Sequence, residues 1–268
     1  MPPSFVRIGA VYMRQLYLLR RSLIRLFNVL FWPVMEFMVW GFMALYIQKT
    51  ATGPLAQSVV FLLGALIGWD INCRGQLAMN IAVLEDIWTR NIIQMLVTPI
   101  RLWEWLMAIA LYTLTKVAAI TVVLGLLAWW LYSFSLFSIG WTFLPLAANL
   151  FLFGWALGLF TFGLLLRYGN AAEALTWGVP FLIQPFSCVF YPLQTLPGWA
   201  QSVARLLPTT YIFEGLRRTL TEGGEVAWDM WLRIAGLNVI YAAVGLCFVS
   251  WMIKTARRTG QLCRLGQE

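Results

Sequence analysis

The sequence predicts an all-α integral membrane protein with six transmembrane helices. Of its 268 residues, 61% are hydrophobic and only 11% are charged, whereas a soluble domain carries about 25% charged residues. The mean hydropathy is +0.76, and 15 tryptophans fit a chain that is bounded by two membrane interfaces. An ordinary water-facing surface is therefore excluded.

The net charge of +8, from 19 basic and 11 acidic residues, indicates anionic lipids as the counter-charge. A nucleic-acid partner is not expected, because the chain lacks the solvated surface that a basic binding face needs. The chain has no histidine, and its four cysteines form no C-x-x-C pair, so no catalytic or metal site is predicted. No lysine follows a glycine, which excludes a phosphate-binding P-loop; any ATP binds to another chain.

The N-terminal segment, residues 1–27, is predicted to be an amphipathic helix that lies in the membrane interface. Arg7, Arg14, Arg21 and Arg25 fall on one narrow stripe at 100° per residue, and we expect this stripe to face lipid headgroups. The alternative is a basic flank without a defined helix. A second basic segment, residues 254–268, is predicted to be a cytoplasmic tail.

Residues 28–253 form the predicted transmembrane domain. A helix needs roughly 20 apolar residues to cross the hydrocarbon, and six stretches qualify: 28–47, 55–82, 102–132, 140–166, 174–191 and 232–253. With both termini in the cytoplasm, 12 of the 19 basic residues lie inside, five lie outside, and Arg74 and Lys116 lie within the membrane. The positive-inside rule therefore predicts cytoplasmic termini. The motif Gly154-x-x-x-Gly158 predicts close helix packing.

Two connections differ from ordinary polar loops. Residues 83–99 have helical periodicity, with Glu85 and Asp86 in the first turn and Pro99 at the end, which favours a cytoplasmic helix. An exposed Trp88 on that helix would need a partner surface; alternatively, the helix packs on its own bundle. On the other side, 197–207 and 209–220 are amphipathic and too short to span, which indicates re-entrant helices.

Two stretches resemble the motifs of a known family. Residues 90–99, RNIIQMLVTP, resemble the cytoplasmic RN…LLVAP segment of ABC-2 type transporter permeases. The external FYPL…LP…NP…Y…E…R signature of that family is similar to residues 190–193 (FYPL), 196–197 (LP), 207–211 (LPTTY) and 214–217 (EGLR). Leu207 stands where many relatives have asparagine. The resemblance covers essentially the whole chain.

The resemblance implies an ABC-2 fold of the type V exporter kind, built from two permease copies and two cytoplasmic ATPases that bind ATP and Mg²⁺. No cofactor is expected on this chain itself. Residues 84–96 would form the coupling helix that sits in a groove of the ATPase, and spans two and five would line the transport path. The residues expected to couple the permease to the ATPase are Leu84, Glu85, Asp86, Ile87, Trp88, Thr89, Arg90 and Asn91.

Charged residues inside the predicted spans are candidate pathway residues, because an embedded charge is costly. Asp70 and Arg74 lie four residues apart on one helix face, which predicts an internal ion pair; contact with a substrate headgroup is the alternative. Glu36 and Lys116 have no partner on their own helices, and they either pair between spans or face a cavity.

The predicted external gate comprises Tyr191, Pro192, Pro208, Tyr211, Glu214 and Arg217. The alternative for Glu214 and Arg217, three residues apart, is an ion pair that only clips the re-entrant helix.

The sequence thus predicts the permease subunit of an ATP-driven exporter in the bacterial inner membrane. An amphiphile, such as a lipid-linked glycan, a lipid or a drug, is the expected substrate. One alternative is an intramembrane lipid-modifying enzyme, but the chain lacks histidine and has only Asp70 as an aspartate within a span, which leaves no nucleophile–base pair or aspartate dyad. The other alternative is a passive channel or scaffold.

Overall fold

The computed structural model describes residues 3–50, 54–89, 98, 100–135, 140–222 and 224–258. Within these ranges the regular structure is helical, with no β-strand. The α-helices are α1 Ser4–Arg20, α2 Leu23–Thr50, α3 Pro54–Trp88, α4 Leu102–Tyr132, α5 Phe143–Tyr168, α6 Glu173–Ile183, α7 Gly198–Ala204, α8 Pro208–Arg217 and α9 Trp228–Arg258. Single 3₁₀ turns flank α6, and a π-helical turn follows α8.

Four of the described helical segments are long and apolar enough to cross a membrane: Leu23–Ile47, Leu102–Tyr132, Gly140–Tyr168 and Trp228–Thr255. They coincide with the first, third, fourth and sixth predicted spans, so the chain is a multi-pass membrane protein. The basic segment predicted as a tail begins inside α9, which continues to Arg258.

Pro180 and Pro185 predict a fifth span, 174–191, that is short and broken, and the α-helix does not run through the whole of this stretch. The α-helix in this region is α6, whose 11 residues rise only about 16 Å, well short of a hydrocarbon core of about 30 Å. Pro180 lies inside α6, and Pro185 belongs to the 3₁₀ turn that follows. Cys188 then takes a positive φ of 53°, a left-handed conformation that redirects the chain away from a helical path.

The separate helix predicted to begin at residue 83 is wrong. The second predicted span continues without a break as α3, 35 residues long, because the sequence offers no proline or glycine between Gly75 and Trp88. Glu85 and Asp86 therefore lie in the last turn of a long helix rather than in the first turn of a short one. Residues 90–97 and 99, which carry most of the RNIIQMLVTP motif, lie outside the described residues.

Helix α3 lies at the centre of the bundle, with α5 on one side and α2 and α4 on the other; α9 covers the far side of α5. The contact with α5 is close because of glycine. A β-carbon on Gly154 would lie only 2.1 Å from the backbone oxygen of Asn72, and one on Gly158 would lie 3.2 Å from the sulfur of Met79. The packing role predicted for Gly154-x-x-x-Gly158 is confirmed.

Candidate functional site

The side of α3 that faces away from α5 carries an embedded ion pair. Arg74 Nε donates to Asp70 Oδ1 at 2.9 Å, which confirms the pair predicted from their four-residue spacing. The second carboxylate oxygen of Asp70 is buried and accepts no hydrogen bond from the described residues. A buried acceptor without a donor is costly, so this oxygen marks a place where a further donor would be stabilising.

A small cavity of about 80 Å³ opens beside this pair. Asp70 and Arg74 contribute its charged wall together with Glu36 from α2, and Trp177 and Phe181 from α6 close it. Glu36 is exposed, and among the described residues no basic group lies within 4.0 Å of its carboxylate. Glu36 therefore faces the cavity and the adjacent surface instead of an ion-pair partner.

A larger cavity of about 500 Å³ adjoins the small one, and Arg74, Leu77, Trp177 and Phe181 line both. Its wall is mostly apolar and aromatic and comes from α1, α2, α3, α4 and α6. Lys116 of α4 lines it as well, with its amine 5.8 Å from the centre of the Tyr112 ring, within the range of a cation–π contact.

The four predicted pathway residues thus come together in two adjoining cavities. Glu36, Asp70 and Arg74 line the small cavity, and Arg74 and Lys116 line the large one. Arg25, which was predicted to face lipid headgroups, and Tyr112, which was not singled out, also line the large cavity. No local sequence signal places them there, because they reach it from helices that are remote along the chain.

The predicted coupling residues divide into two groups at the end of α3. Leu84, Asp86 and Ile87 are buried within the chain, whereas Trp88 is 51% exposed and Thr89 is also exposed. Glu85 is half-buried, and both Glu85 and Trp88 line the large cavity. Arg90 and Asn91 lie outside the described residues. Among the described members, Trp88 and Thr89 are the exposed ones.

Arginines from the N-terminal region meet carboxylates at this end of the bundle. Three ion pairs connect elements remote in sequence: Arg7–Glu104 at 2.5 Å, Arg14–Asp86 at 2.6 Å and Arg25–Glu85 at 3.2 Å. Because two of these carboxylates end α3 and the third begins α4, the pairs hold α1 and the start of α2 against both helices.

These pairs correct the predicted orientation of the N-terminal helix. Residues 4–20 are helical, but Arg7 and Arg14 face the protein rather than lipid headgroups. The exposed face of α1 is apolar instead and includes Phe5, Val6 and Tyr17. The stripe of arginines was identified correctly, but its partners were not.

Glu104 is a buried charge that the sequence analysis did not single out. Its side chain is inaccessible to solvent and binds Arg7, while its second oxygen accepts the backbone N–H of Arg101 at 2.9 Å. A carboxylate in the first turn of a helix caps the free N–H groups there, and this was the available signal in the sequence. The pairing with Arg7 could not be read from it.

Two short helices, α7 and α8, lie where the re-entrant pieces were predicted. Together with residues 185–197 they are called the external layer, after the side of the membrane predicted for them. Pro208 is the first residue of α8, a position where its missing N–H costs nothing. The next two residues fasten the helix start: the Thr209 hydroxyl donates to the Ser187 hydroxyl at 3.0 Å, and the Thr210 hydroxyl donates to the Ala204 carbonyl at 2.6 Å.

Glu214 and Arg217 form the predicted ion pair and also bind beyond α8. Glu214 Oε1 accepts the backbone N–H of Leu193 and an Arg217 N–H, both at 2.9 Å. Arg217 donates to the Cys188 carbonyl at 3.2 Å, and its guanidinium lies 4.4 Å from the Phe61 ring centre on α3. Burial lowers the pKa of Arg217, and the Glu214 carboxylate opposes that shift. The pair therefore ties α8 to α3 and to the 188–193 segment.

The remaining predicted gate residues make local contacts. Tyr191 donates its hydroxyl to the Pro185 carbonyl, and Tyr211 donates to the Arg205 carbonyl at 3.1 Å. Pro192 precedes the 3₁₀ turn Leu193–Thr195. These six residues lie together in the external layer, and their role as a gate stays a prediction.

A comparison with family profiles decides the identity. The profile described as ABC-2 family transporter protein matches residues 72–251, about two thirds of the chain. The chain belongs to the ABC-2 transporter family. It is therefore the permease, the membrane component, of an ABC transporter, and the resemblance noted in the sequence is confirmed. A comparison with curated proteins finds no match to the chain.

The matched region of the ABC-2 permease begins inside α3, two residues after Asp70, and ends inside α9. It includes Arg74, Lys116 and the whole external layer. It leaves out α1, α2 and Glu36, although these contribute to the cavities and to the ion pairs described above. The permeases of this family work with an ABC ATPase, and the exposed end of α3 belongs to the matched region.

Proposed function

We propose that this permease is the membrane subunit of an exporter that moves an amphiphilic substrate across the bacterial cytoplasmic membrane. The substrate classes are lipid-linked glycans, lipids and drugs. The adjoining cavities beside α3 support this proposal, because they combine a mostly apolar and aromatic wall with a few charged groups. Such a lining is typical of ligand sites, and it suits a molecule with an apolar body and a polar head.

ATP and Mg²⁺ would bind to a separate ATPase subunit, and Trp88 and Thr89 would contact that subunit. The rigidity of this end supports the assignment. Asp86 binds Arg14, and Glu85 binds Arg25, so a push on the exposed residues would pass to α1 and α2 as well as to α3. Alternating access follows if the two nucleotide states of the ATPase favour cavities of different substrate affinity.

The complete transporter would contain two copies of the permease, each with six spans and cytoplasmic termini. Helix α3 is long enough to span, and α6 with its flanking 3₁₀ turns would be the shortened fifth crossing. The exposed apolar side chains on α2 and α6, among them Trp32, Phe181 and Leu182, would contact the second copy or membrane lipid. The external layer would then act as the gate over the shared path.

Reconstitution tests this proposal directly. The permease and its ATPase, placed together in liposomes, should show ATPase activity that a panel of lipids, glycolipids and amphiphilic drugs stimulates, and should transport the stimulating compound in an ATP-dependent manner. An ATPase variant that binds but does not hydrolyse ATP is the control. Turnover of a chemical substrate by the purified permease alone, or ATP-independent flux through it, would overturn the proposal in favour of an enzyme or a passive channel.

A further inference from the structure

Charges in the large cavity are not balanced. Arg25, Arg74 and Lys116 line it. Glu85 pairs with Arg25 and Asp70 pairs with Arg74, which leaves the single positive charge of Lys116 in excess. A cavity whose wall carries one sign of charge raises the local concentration of the opposite ion. The imbalance therefore indicates an anionic rather than a cationic or neutral ligand.

The three cations differ in what they already bind. Arg25 is paired with Glu85, and Arg74 uses its Nε–H on Asp70, a residue of the adjoining small cavity. Around the Lys116 amine, no carboxylate oxygen of the described residues lies within 4.0 Å. Its contact is the ring of Tyr112 at 5.8 Å, which does not neutralise it. Lys116 is thus the cation that still needs an anion.

The position of Lys116 along α4 also favours an anionic partner. It is the fifteenth of the 31 residues of α4, so it lies near the middle of a helix that is long enough to cross the membrane. An ammonium group at that depth is costly and indicates a functional partner. Arg74 lines the same cavity, and the hydrogen bond of its side chain to a described residue is made by Nε, so its terminal N–H groups could donate to the same anion.

The apolar part of a ligand also has a place. Beyond the cations, the wall is built from α1, α2, α3 and α6 side chains such as Leu19, Val29, Leu77 and Ile81. Trp32 and Phe181, which line the same cavity, are 64% and 71% exposed, so the cavity is open toward the apolar surface of the bundle. An acyl or other apolar chain could extend that way without leaving an apolar surrounding.

We propose that Lys116, with Arg74, binds the phosphate or carboxylate headgroup of an anionic amphiphile in this cavity. The site rests on the proposed function, because it names the class of substrate that the exporter takes up. Its volume of about 500 Å³ lies within the usual range for a small-molecule site and accommodates the headgroup with the first part of a chain. Glu36 and Asp70, at the small cavity, exclude the anion from that end.

Binding to the full-length permease in nanodiscs of zwitterionic phosphatidylcholine tests this site without any ATPase. The probe is radiolabelled dodecyl phosphate, with dodecyl trimethylammonium and dodecyl maltoside as cationic and neutral probes of equal chain length. The Lys116→Gln variant should bind dodecyl phosphate at least about tenfold more weakly, the loss expected for one charged hydrogen bond. Lys116→Arg should restore most of the affinity, because it keeps the charge.

Lys49→Gln is the matched control, since Lys49 is exposed at the end of α2 and does not line the cavity. It should leave binding unchanged, and neither variant should alter the weak binding of the neutral probe. Equal affinity of Lys116→Gln and the wild type for dodecyl phosphate would overturn the site. The site would also be overturned if the cationic probe bound as tightly as dodecyl phosphate and its binding depended on Lys116 in the same way. Equal melting temperatures of the variants exclude misfolding as the cause.

A second arm separates the two sources of such a headgroup. If phosphatidylglycerol in the nanodisc displaces dodecyl phosphate from the wild type but leaves the residual binding of Lys116→Gln unchanged, the site holds a bilayer lipid. If phosphatidylglycerol leaves the binding of dodecyl phosphate to the wild type undiminished, the site holds a substrate that the membrane itself does not supply. Because no ATPase is present, failure of this site leaves the exporter function standing, and failure of ATP-dependent transport leaves the binding result intact.

Discussion

The two faces of α3 are built differently, although they belong to one helix. The face toward α5 and α6 carries neutral amides: Gln76 donates to the Thr176 carbonyl at 3.2 Å, and Asn80 donates to the Thr161 hydroxyl. The other face carries the charged residues Asp70 and Arg74 and opens onto the two cavities. The first face packs against other helices, and the second face borders cavities.

The difference teaches where charge is tolerated inside the bundle. On the packed face the backbones of α3 and α5 approach closely at Gly154, and the polar groups are neutral amides that donate to neighbouring helices. The side-chain oxygens of Asn72, Gln76 and Asn80 accept no hydrogen bond from the described residues, and a buried charge in that position would be costlier still. A charge needs a partner or a polar cavity, and both lie on the open face. The proposed transport path therefore lies along the open face, and the packed face holds α3 against α5.

The largest effect is expected from Gly154→Ala, which disrupts the packed face. The new β-carbon would lie 2.1 Å from the Asn72 backbone oxygen, so α3 and α5 must separate, and we expect the free energy of unfolding to fall by about 3 kcal/mol or more. Gly236→Ala is the control, because a β-carbon there meets nothing within 4 Å. Thermal unfolding in detergent measures both, and equal stability of the two variants would contradict the close contact.

An intermediate effect is expected on the open face from Asp70→Asn. The variant leaves Arg74 without its carboxylate, and because both side chains are only 11–19% exposed, we expect a loss of about 2 kcal/mol, below the 3–5 kcal/mol of a fully buried pair. The double variant Asp70→Asn/Arg74→Gln should regain most of this stability. Chemical denaturation measures the three proteins, and a double variant no more stable than Asp70→Asn would show that the two charges are not coupled.

The smallest effect on stability is expected at the end of α3, from Trp88→Ala. Trp88 is exposed, so the free energy of unfolding should change by less than about 0.5 kcal/mol, while ATP-dependent transport with the ATPase should fall. Its neighbour Ile87 is buried, and Ile87→Ala should instead cost about 2–3 kcal/mol. Unfolding and transport are measured on both variants. Full transport by Trp88→Ala would argue against an ATPase contact at this residue.

The sequence analysis predicted correctly the features that depend on residues close together along the chain. The third span was predicted at 102–132, and α4 is Leu102–Tyr132, because apolar length alone decides such a helix. The Asp70–Arg74 and Glu214–Arg217 pairs were likewise predictable from spacings of four and three residues. The break of the fifth span near Pro185 was also predictable, because proline is a local signal, whereas Pro180 lies within α6 and the left-handed Cys188 carried no such signal.

Pairings between distant residues escaped prediction altogether. The arginine stripe of α1 was visible, but its partners Asp86 and Glu104 lie 72 and 97 residues further along the chain. The end of α3 was predicted as a separate helix because two carboxylates suggested a helix start, whereas they bind Arg14 and Arg25 at a helix end. Helical periodicity indicates which residues share one face of a helix, but it does not indicate which other part of the protein that face contacts.

The sequence by itself determined that this chain crosses a membrane, that its family is that of the ABC-2 permeases, and that Asp70 pairs with Arg74. Composition, apolar length and local spacing carry that information, because each acts within one helix. Only the tertiary structure decided that Arg7 and Arg14 of α1 face inward and that Arg74 and Lys116 share one cavity. These relations depend on how separate helices pack, and packing is set by contacts between residues that the linear order keeps far apart.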